Sequence, residues 1–135
     1  HLIKKISFDL KSIESKIIIK NYFSNIDEIL NNASLVISRA GAGSISDLIN
    51  YRIPSILIPL PSAKDNHQYH NAYQISKNDL GIIIDQNKNE FTRAKNYIYD
   101  IYNNKSKLKL INQKFDKIKV KKSNTLIYNL ITNEN

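Results

Sequence analysis

The sequence contains no cysteine, no methionine and no tryptophan, and only three glycines and three prolines among its 135 residues. The absence of cysteine excludes disulfides, thiolate zinc sites and cysteine nucleophiles. No apolar run approaches the roughly 20 residues that a membrane-spanning helix needs, and the start shows no secretory leader. Because the chain begins at His1 and lacks methionine, we expect a fragment or a processed piece of an intracellular, soluble domain.

Basic residues exceed acidic ones, with 20 Lys and Arg against 12 Asp and Glu and a formal charge of +8. The excess is concentrated in residues 105–122, which contain eight lysines and one aspartate. One interpretation is a solvated helix face, and the other is attraction to phosphates of nucleic acid or of an anionic membrane. Only Phe115 supplies an aromatic ring in this segment, too few for base stacking, so we expect no nucleic-acid partner.

Short apolar runs alternate with helical patterns along the middle of the chain. Runs that are continuous rather than alternating are typical of strands buried on both faces of a parallel sheet. The sequence therefore predicts an α/β fold, a Rossmann-like doubly wound parallel sheet that ends in helices. The predicted strands are residues 16–19, 35–38, 55–58 and 82–84. One predicted helix begins near residue 24, and the other predicted helices span 44–51, 67–78, 91–102, 106–120 and 124–131.

The predicted elements group into a βαβ core at about residues 16–85 and a helical ending at about residues 90–132. Apolar residues near the start predict one further strand. Four of the six glycines and prolines fall in two loops of the core, each after a predicted strand. In an open α/β sheet, ligands bind beyond the carboxyl ends of the strands, so these loops are the candidate site.

The first loop, residues 38–44, reads Ser-Arg-Ala-Gly-Ala-Gly-Ser. Small side chains let backbone N–H groups approach an anion, and the dipole of the following helix favours negative charge there, which suits a diphosphate. Alternatively, the glycines serve only the backbone geometry of a tight turn. Asp47 is placed to accept hydrogen bonds from a ribose diol, or it closes a capping box with Ser44; spacing alone leaves both interpretations open.

The second loop, residues 59–66, is stiffened by prolines and leads into a predicted helix. Gln68 and Asn71 are three residues apart and share a helix face. Their carboxamides offer the donors and acceptors that read sugar hydroxyls. Alternatively, Asp65 or Asn66 is the N-cap of this helix and both carboxamides are only exposed to solvent. His67 and His70 lack the further ligands that a zinc site needs, so we expect no metal.

These two loops carry a family resemblance. The stretch ASLVISRAGAGSISDLINYRIPSILIPLPSAKDNHQYHNAYQISKNDLGIII resembles the C-terminal, donor-binding domain of family 28 glycosyltransferases, and the similarity runs over about residues 21–84. The resemblance implies the C-terminal half of a two-domain GT-B enzyme with its cleft between the domains. It implies inverting transfer of GlcNAc from UDP-GlcNAc to a lipid-linked MurNAc-pentapeptide in peptidoglycan synthesis, without a cofactor, at the cytoplasmic face of the inner membrane.

The resemblance also assigns residues. It implies that Ala42, Gly43 and Ser44 face the nucleotide diphosphate and that Gln68 and Asn71 contact the GlcNAc hydroxyls. It also implies that Asp47 stands where the family has a glutamate that holds the ribose. Asp47 is one methylene shorter, which puts that contact in question. Arg39 matches a recurrent basic residue at the strand end, to which we assign no role. The implied donor-binding residues are Ala42, Gly43, Ser44, Asp47, His67, Gln68 and Asn71.

The resemblance places the lipid-linked acceptor and the general base in an N-terminal domain that this sequence lacks. We therefore expect no catalytic residue in this chain and no activity from it alone. Two alternatives stay open: a donor-domain subunit of a two-subunit UDP-GlcNAc transferase, and a non-enzymatic basic module that binds through residues 105–122.

Overall fold

The computed structural model describes residue 18 and residues 20–118. The chain divides into two compact units, His1–Asn31 and Asn32–Asn135. The predicted strand near the start and the predicted helix at 124–131 lie outside the described residues. Of the predicted strand 16–19 only Ile18 is described, and it is exposed and without regular secondary structure. Within the described part, no helix has the length and apolar character needed to cross a membrane.

The described part of the first unit contains one short helix, α1, Ile26–Asn31. Asn25 precedes it, and its backbone carbonyl accepts the first helical bond at 3.3 Å. The Asn25 side-chain amide also donates to the Glu28 carboxylate at 3.0 Å, which fixes the start of the helix. Of its apolar residues, Leu30 is buried.

The second unit follows the predicted alternation of strands and helices, and the ends of the elements differ from the predicted ends by a few residues. Each strand is short and is followed by a helix, as the βαβ pattern requires. The elements are β1 Val36–Ser38, α2 Ala42–Tyr51, β2 Ser55–Leu57, a 3₁₀ turn Lys64–Asn66, α3 His67–Ser76, β3 Gly81–Ile83, α4 Phe91–Asn103 and α5 Lys105–Phe115.

The three strands form a parallel sheet in the order β1-β2-β3, with Ile37 opposite Ile56 and Ile56 opposite Ile82. Helix α3 covers the face at Gly81, where a Cβ would lie 3.1 Å from the Ile75 side chain. On the other face, Phe91 of α4 lines a groove with Ile37 and Ile56. Helices on both faces confirm the Rossmann-like α/β prediction.

Strand β1 departs from the prediction that all strands are buried on both faces. Strand β2 is buried at every position, whereas Ile37 at the centre of β1 is 55% exposed. Because β1 is one of the two outer strands of the described sheet, the Ile37 side chain lacks the cover that Ile56 receives in the middle strand. The prediction holds for β2 and is wrong for β1.

Helix α5 is held by buried side chains and by ion pairs. Ile111 and Phe115 are buried, and this burial supplies most of the stabilisation. Lys114 pairs with Asp79 at 2.9 Å and Lys107 pairs with Asp100. Two lysines of the predicted basic face are therefore occupied inside the domain, which weakens the interpretation of that face as a dedicated phosphate-binding surface.

The corner between α4 and α5 holds a half-buried tyrosine, Tyr97. Its hydroxyl is buried and finds no hydrogen-bond partner among the described residues. The Lys107 ammonium lies 5.4 Å from the centre of its ring. Burial, and secondarily the charge of Asp100, raises the pKa of Tyr97 to about 12.

The Tyr97→Phe variant is expected to lose less stability at alkaline pH than the wild type does. A raised folded-state pKa gives stability that is present below the unfolded pKa of about 10 and is lost as pH rises through about 12. The variant should keep its Tm at pH 7 within about 2 °C and lose less Tm than the wild type on going to about pH 11. Tyr102→Phe, at a tyrosine that is 82% exposed on the same helix, is the matched control for thermal unfolding. Identical alkaline profiles for all three proteins would contradict the assignment.

Candidate functional site

The carboxyl ends of the three strands meet at one edge, and Arg39 ties them together. Arg39 follows β1, and its Nη1 donates to the carbonyls of Ile58 and Pro59 after β2, at 3.1 and 3.3 Å. The same nitrogen donates to the Gln86 side-chain oxygen after β3, at 2.6 Å. The segments that leave all three strands are therefore held by one guanidinium group.

The first loop ends at the N-terminus of α2, which begins at Ala42, two residues earlier than predicted. Gly41 is its N-cap, in an extended conformation, and no side chain caps the helix. The first backbone N–H groups of a helix have no acceptor within the helix, so those of Gly43 and Ser44 are available to a ligand. The helix dipole adds roughly half a positive charge at this end.

The glycines of the first loop are not required by backbone geometry. No glycine in the structure has a positive φ, and Gly41 has φ −66°. A Cβ built on Gly41 or Gly43 would meet nothing within 4 Å. Backbone geometry therefore does not require these glycines, which leave open space in front of the backbone.

The capping-box interpretation of Asp47 is wrong. Since α2 begins at Ala42, Ser44 lies inside the first turn and Asp47 is the sixth residue of the helix. A capping box needs the acidic residue three positions after the cap. The Asp47 side chain is exposed on the first turns of α2, and its contact with a ribose stays a prediction.

Two carboxamides of α3 contact the loops: Asn71 bonds to the first loop and Gln68 bonds to the second. The Asn71 side-chain amide donates to the Ala40 carbonyl of the first loop at 3.1 Å. The Gln68 side-chain oxygen accepts the backbone N–H of Leu60 at 3.0 Å. Each side-chain amide thus uses one of its two polar groups in a hydrogen bond within the protein. Within residues 20–118 the Gln68 amino group and the Asn71 oxygen have no protein partner and stay available to a ligand.

The chain enters α3 through a strained turn. Asp65 and Asn66 both have φ 52°, in the left-handed region that these two residue types tolerate better than most. Neither side chain caps α3. His67 lies at 2.7 Å from the Lys64 carbonyl through Nδ1. A carbonyl only accepts, so Nδ1 carries the proton and Nε2 is left for other contacts.

A cavity of about 380 Å³ lies at the same edge, between the second loop and the segment after β3. None of the seven predicted residues lines it. The cavity is lined by Pro59, Leu60, Pro61, Asn66, Tyr69, Ile83, Ile84, Asp85 and Asn87.

Among the described residues, no group of three or more His, Asp or Glu is placed to hold a metal ion.

Sequence reasoning missed two residues at this edge. Arg39 was noted without a role, and the structure places it at the centre of the three strand ends. Gln86 was not considered. The rule that led to the two loops, that ligands gather beyond strand carboxyl ends, applies equally to the segment after β3 and would have included it.

Comparison with known proteins gives a family match over nearly the whole chain. The model of the glycosyltransferase family 28 C-terminal domain matches residues 2–127. The relatives given next all carry the name UDP-N-acetylglucosamine–N-acetylmuramyl-(pentapeptide) pyrophosphoryl-undecaprenol N-acetylglucosamine transferase.

The relative from Rickettsia prowazekii (strain Madrid E) is 39% identical over 126 residues, which cover 90% of this chain and 32% of the relative. The relative from Wolbachia sp. subsp. Drosophila simulans (strain wRi) is 36% identical over 107 residues, 79% of this chain and 31% of the relative. The relative from Desulforamulus reducens is 41% identical over 93 residues, 69% of this chain and 25% of the relative. The chain thus spans about a third of the length of the first two relatives.

Proposed function

The chain belongs to the C-terminal domain family of glycosyltransferase family 28, and from this premise we propose that it supplies part of the donor site of an N-acetylglucosaminyltransferase. The full-length protein would transfer GlcNAc from UDP-GlcNAc to a lipid-linked MurNAc-pentapeptide in peptidoglycan synthesis. The names of the relatives describe this reaction. An N-terminal domain would carry the acceptor site and the general base.

The observation that carries the proposal is the bond between Asn71 and Ala40. It places the helix that presents Gln68 and Asn71 against the loop that presents free backbone N–H groups. A UDP-sugar needs this combination, with donors for a diphosphate beside amides for sugar hydroxyls. The N-termini of α2 and α3 both follow strands and so lie at the same edge of the sheet, where their dipoles favour an anion.

The proposed chemistry is a direct displacement with inversion at the anomeric carbon. The acceptor hydroxyl forms a bond to that carbon while the bond to the UDP oxygen breaks, and a base outside this chain takes the hydroxyl proton. Negative charge grows on the departing UDP. Backbone N–H groups of Gly43 and Ser44, fixed at the start of α2, would stabilise that charge without reorganising.

The proposed setting is the cytoplasmic face of the membrane, where a lipid-linked acceptor would be presented. The net charge of +8 favours an anionic surface. We propose peripheral association, with the acceptor reached through the N-terminal domain.

The direct experiment is a transfer assay with the full-length protein. Labelled UDP-GlcNAc and a lipid-linked MurNAc-pentapeptide should give a labelled lipid disaccharide, while UDP-GalNAc and UDP-glucose should give much less. UDP and UDP-GlcNAc should also raise the Tm, because a ligand that binds only the folded state stabilises it. No transfer and no thermal shift with any of these compounds would contradict the proposal.

Asp47→Ala is expected to weaken UDP binding by about 1–3 kcal/mol, if the exposed carboxylate accepts hydrogen bonds from the ribose hydroxyls. Asp47→Glu, which adds the methylene of the family residue, should bind UDP at least as tightly as the wild type. Ser46→Ala, at the neighbouring exposed position of α2, is the control. Calorimetric titration with UDP measures all three, and an unchanged dissociation constant in Asp47→Ala would remove the ribose role.

A further inference from the structure

The segment after β3 reaches the candidate site through one side chain, Gln86. Its amide oxygen accepts from Arg39 Nη1 at 2.6 Å, shorter than the bonds from the same nitrogen to the carbonyls of Ile58 and Pro59. The charged guanidinium makes each of these three bonds charge-assisted, and of the three acceptors only the Gln86 oxygen belongs to a side chain. Gln86 is therefore the side-chain acceptor that fixes the orientation of Arg39.

We infer that Gln86 is a positioning residue of the donor site, acting through Arg39. This inference rests on the proposed function. Arg39 directly precedes Ala40, whose carbonyl receives the Asn71 bond, and the helix with Gly43 starts two residues later. By orienting Arg39, Gln86 keeps the first loop and the exit of β2 at a fixed separation.

The exposure of this cluster makes the role testable without unfolding the domain. Arg39 and Gln86 both have exposed side chains, so neither is part of the buried core. Loss of the Gln86 acceptor removes the shortest of the three bonds to Arg39 Nη1 and leaves the guanidinium on the two longer bonds to the carbonyls of Ile58 and Pro59. A small shift of the loop is costly for binding, since backbone donors must meet a diphosphate at hydrogen-bond distance.

The experiment compares three variants of the full-length protein. Gln86→Leu removes the acceptor at similar volume, Gln86→Glu keeps an oxygen and adds a charge, and Asn89→Leu is the control in the same segment. Calorimetry gives the dissociation constant for UDP, thermal unfolding gives the Tm, and ¹⁵N spectra without ligand give the amide shifts of Gly43 and Ser44.

Gln86→Leu should weaken UDP binding about fivefold to tenfold and move the ligand-free amide signals of Gly43 and Ser44, with the Tm unchanged. Gln86→Glu should bind UDP within about twofold of the wild type, because a carboxylate pairs with the guanidinium. A merely structural role would instead lower the Tm and leave both the UDP affinity of the folded variant and the Gly43 and Ser44 signals unchanged.

Two results separate this inference from the proposed function. Unmoved Gly43 and Ser44 signals in Gln86→Leu would overturn the positioning role whether or not UDP binds. Moved signals together with a wild-type protein that does not bind UDP would support the positioning role and contradict the donor-site proposal.

Discussion

Gly43→Val should lower the affinity for UDP at least about tenfold, some 1.4 kcal/mol, while the domain stays folded. The fold has room for the side chain, because a Cβ at this position meets nothing within 4 Å. The position lies in the first turn of α2, where valine is at least as compatible with helix as glycine. In the proposed donor site the diphosphate approaches the backbone N–H groups through the same open space, so the valine methyls would exclude it.

Calorimetric titration of the full-length protein with UDP measures the effect, and thermal unfolding shows whether the fold is kept. Ser46→Val places the same side chain on the exposed surface of α2 within one turn and should bind UDP normally. An unchanged dissociation constant in Gly43→Val would mean that the diphosphate does not reach this loop.

Gly81→Ala, unlike Gly43→Val, should lower the stability of the fold. We expect the domain to lose about 3 kcal/mol of unfolding free energy, or about 10 °C or more in Tm. Gly81 is paired with Ser55 between β3 and β2. An added Cβ would lie 2.3 Å from the Ser55 carbonyl oxygen and 2.7 Å from its hydroxyl. The carbonyl belongs to the backbone of the central strand, so relief requires the strands to separate.

Thermal or urea unfolding of the full-length protein measures this loss. Gly41→Ala is the matched control, because its φ of −66° suits alanine and its Cβ meets nothing within 4 Å. Adding Ser55→Ala to Gly81→Ala removes the hydroxyl contact but not the carbonyl contact, so it should restore only a minor part of the stability. A stable Gly81→Ala single variant would contradict the close strand approach.

The alternation of strands and helices was predictable from the sequence because each apolar run is short and is followed by a helical pattern. The helix starts were less predictable. Ser44 has the residue type and spacing of an N-cap, yet α2 begins at Ala42, and its N-cap is Gly41, which has no side chain to accept a hydrogen bond. An extended glycine can occupy the N-cap position. The helix therefore includes two small residues that sequence rules assign to the loop.

The two loops of the candidate site were predictable from the rule that ligands gather at strand carboxyl ends. The contacts that join them were not. The bonds from Asn71 to Ala40 and from Arg39 to Gln86 link residues 31 and 47 positions apart. Such pairs depend on the tertiary placement of loops, and no local pattern records them. The same holds for Ile37, whose exposure follows from its place in an outer strand of the described sheet.

The most direct test of a donor site formed by the two loops is a ¹⁵N titration of the full-length protein with UDP and then with UDP-GlcNAc. UDP should move the backbone amide signals of Gly43 and Ser44. UDP-GlcNAc should move these and, in addition, the side-chain amide signals of Gln68 and Asn71. Saturating UDP-GlcNAc that leaves all four residues unmoved would contradict the account.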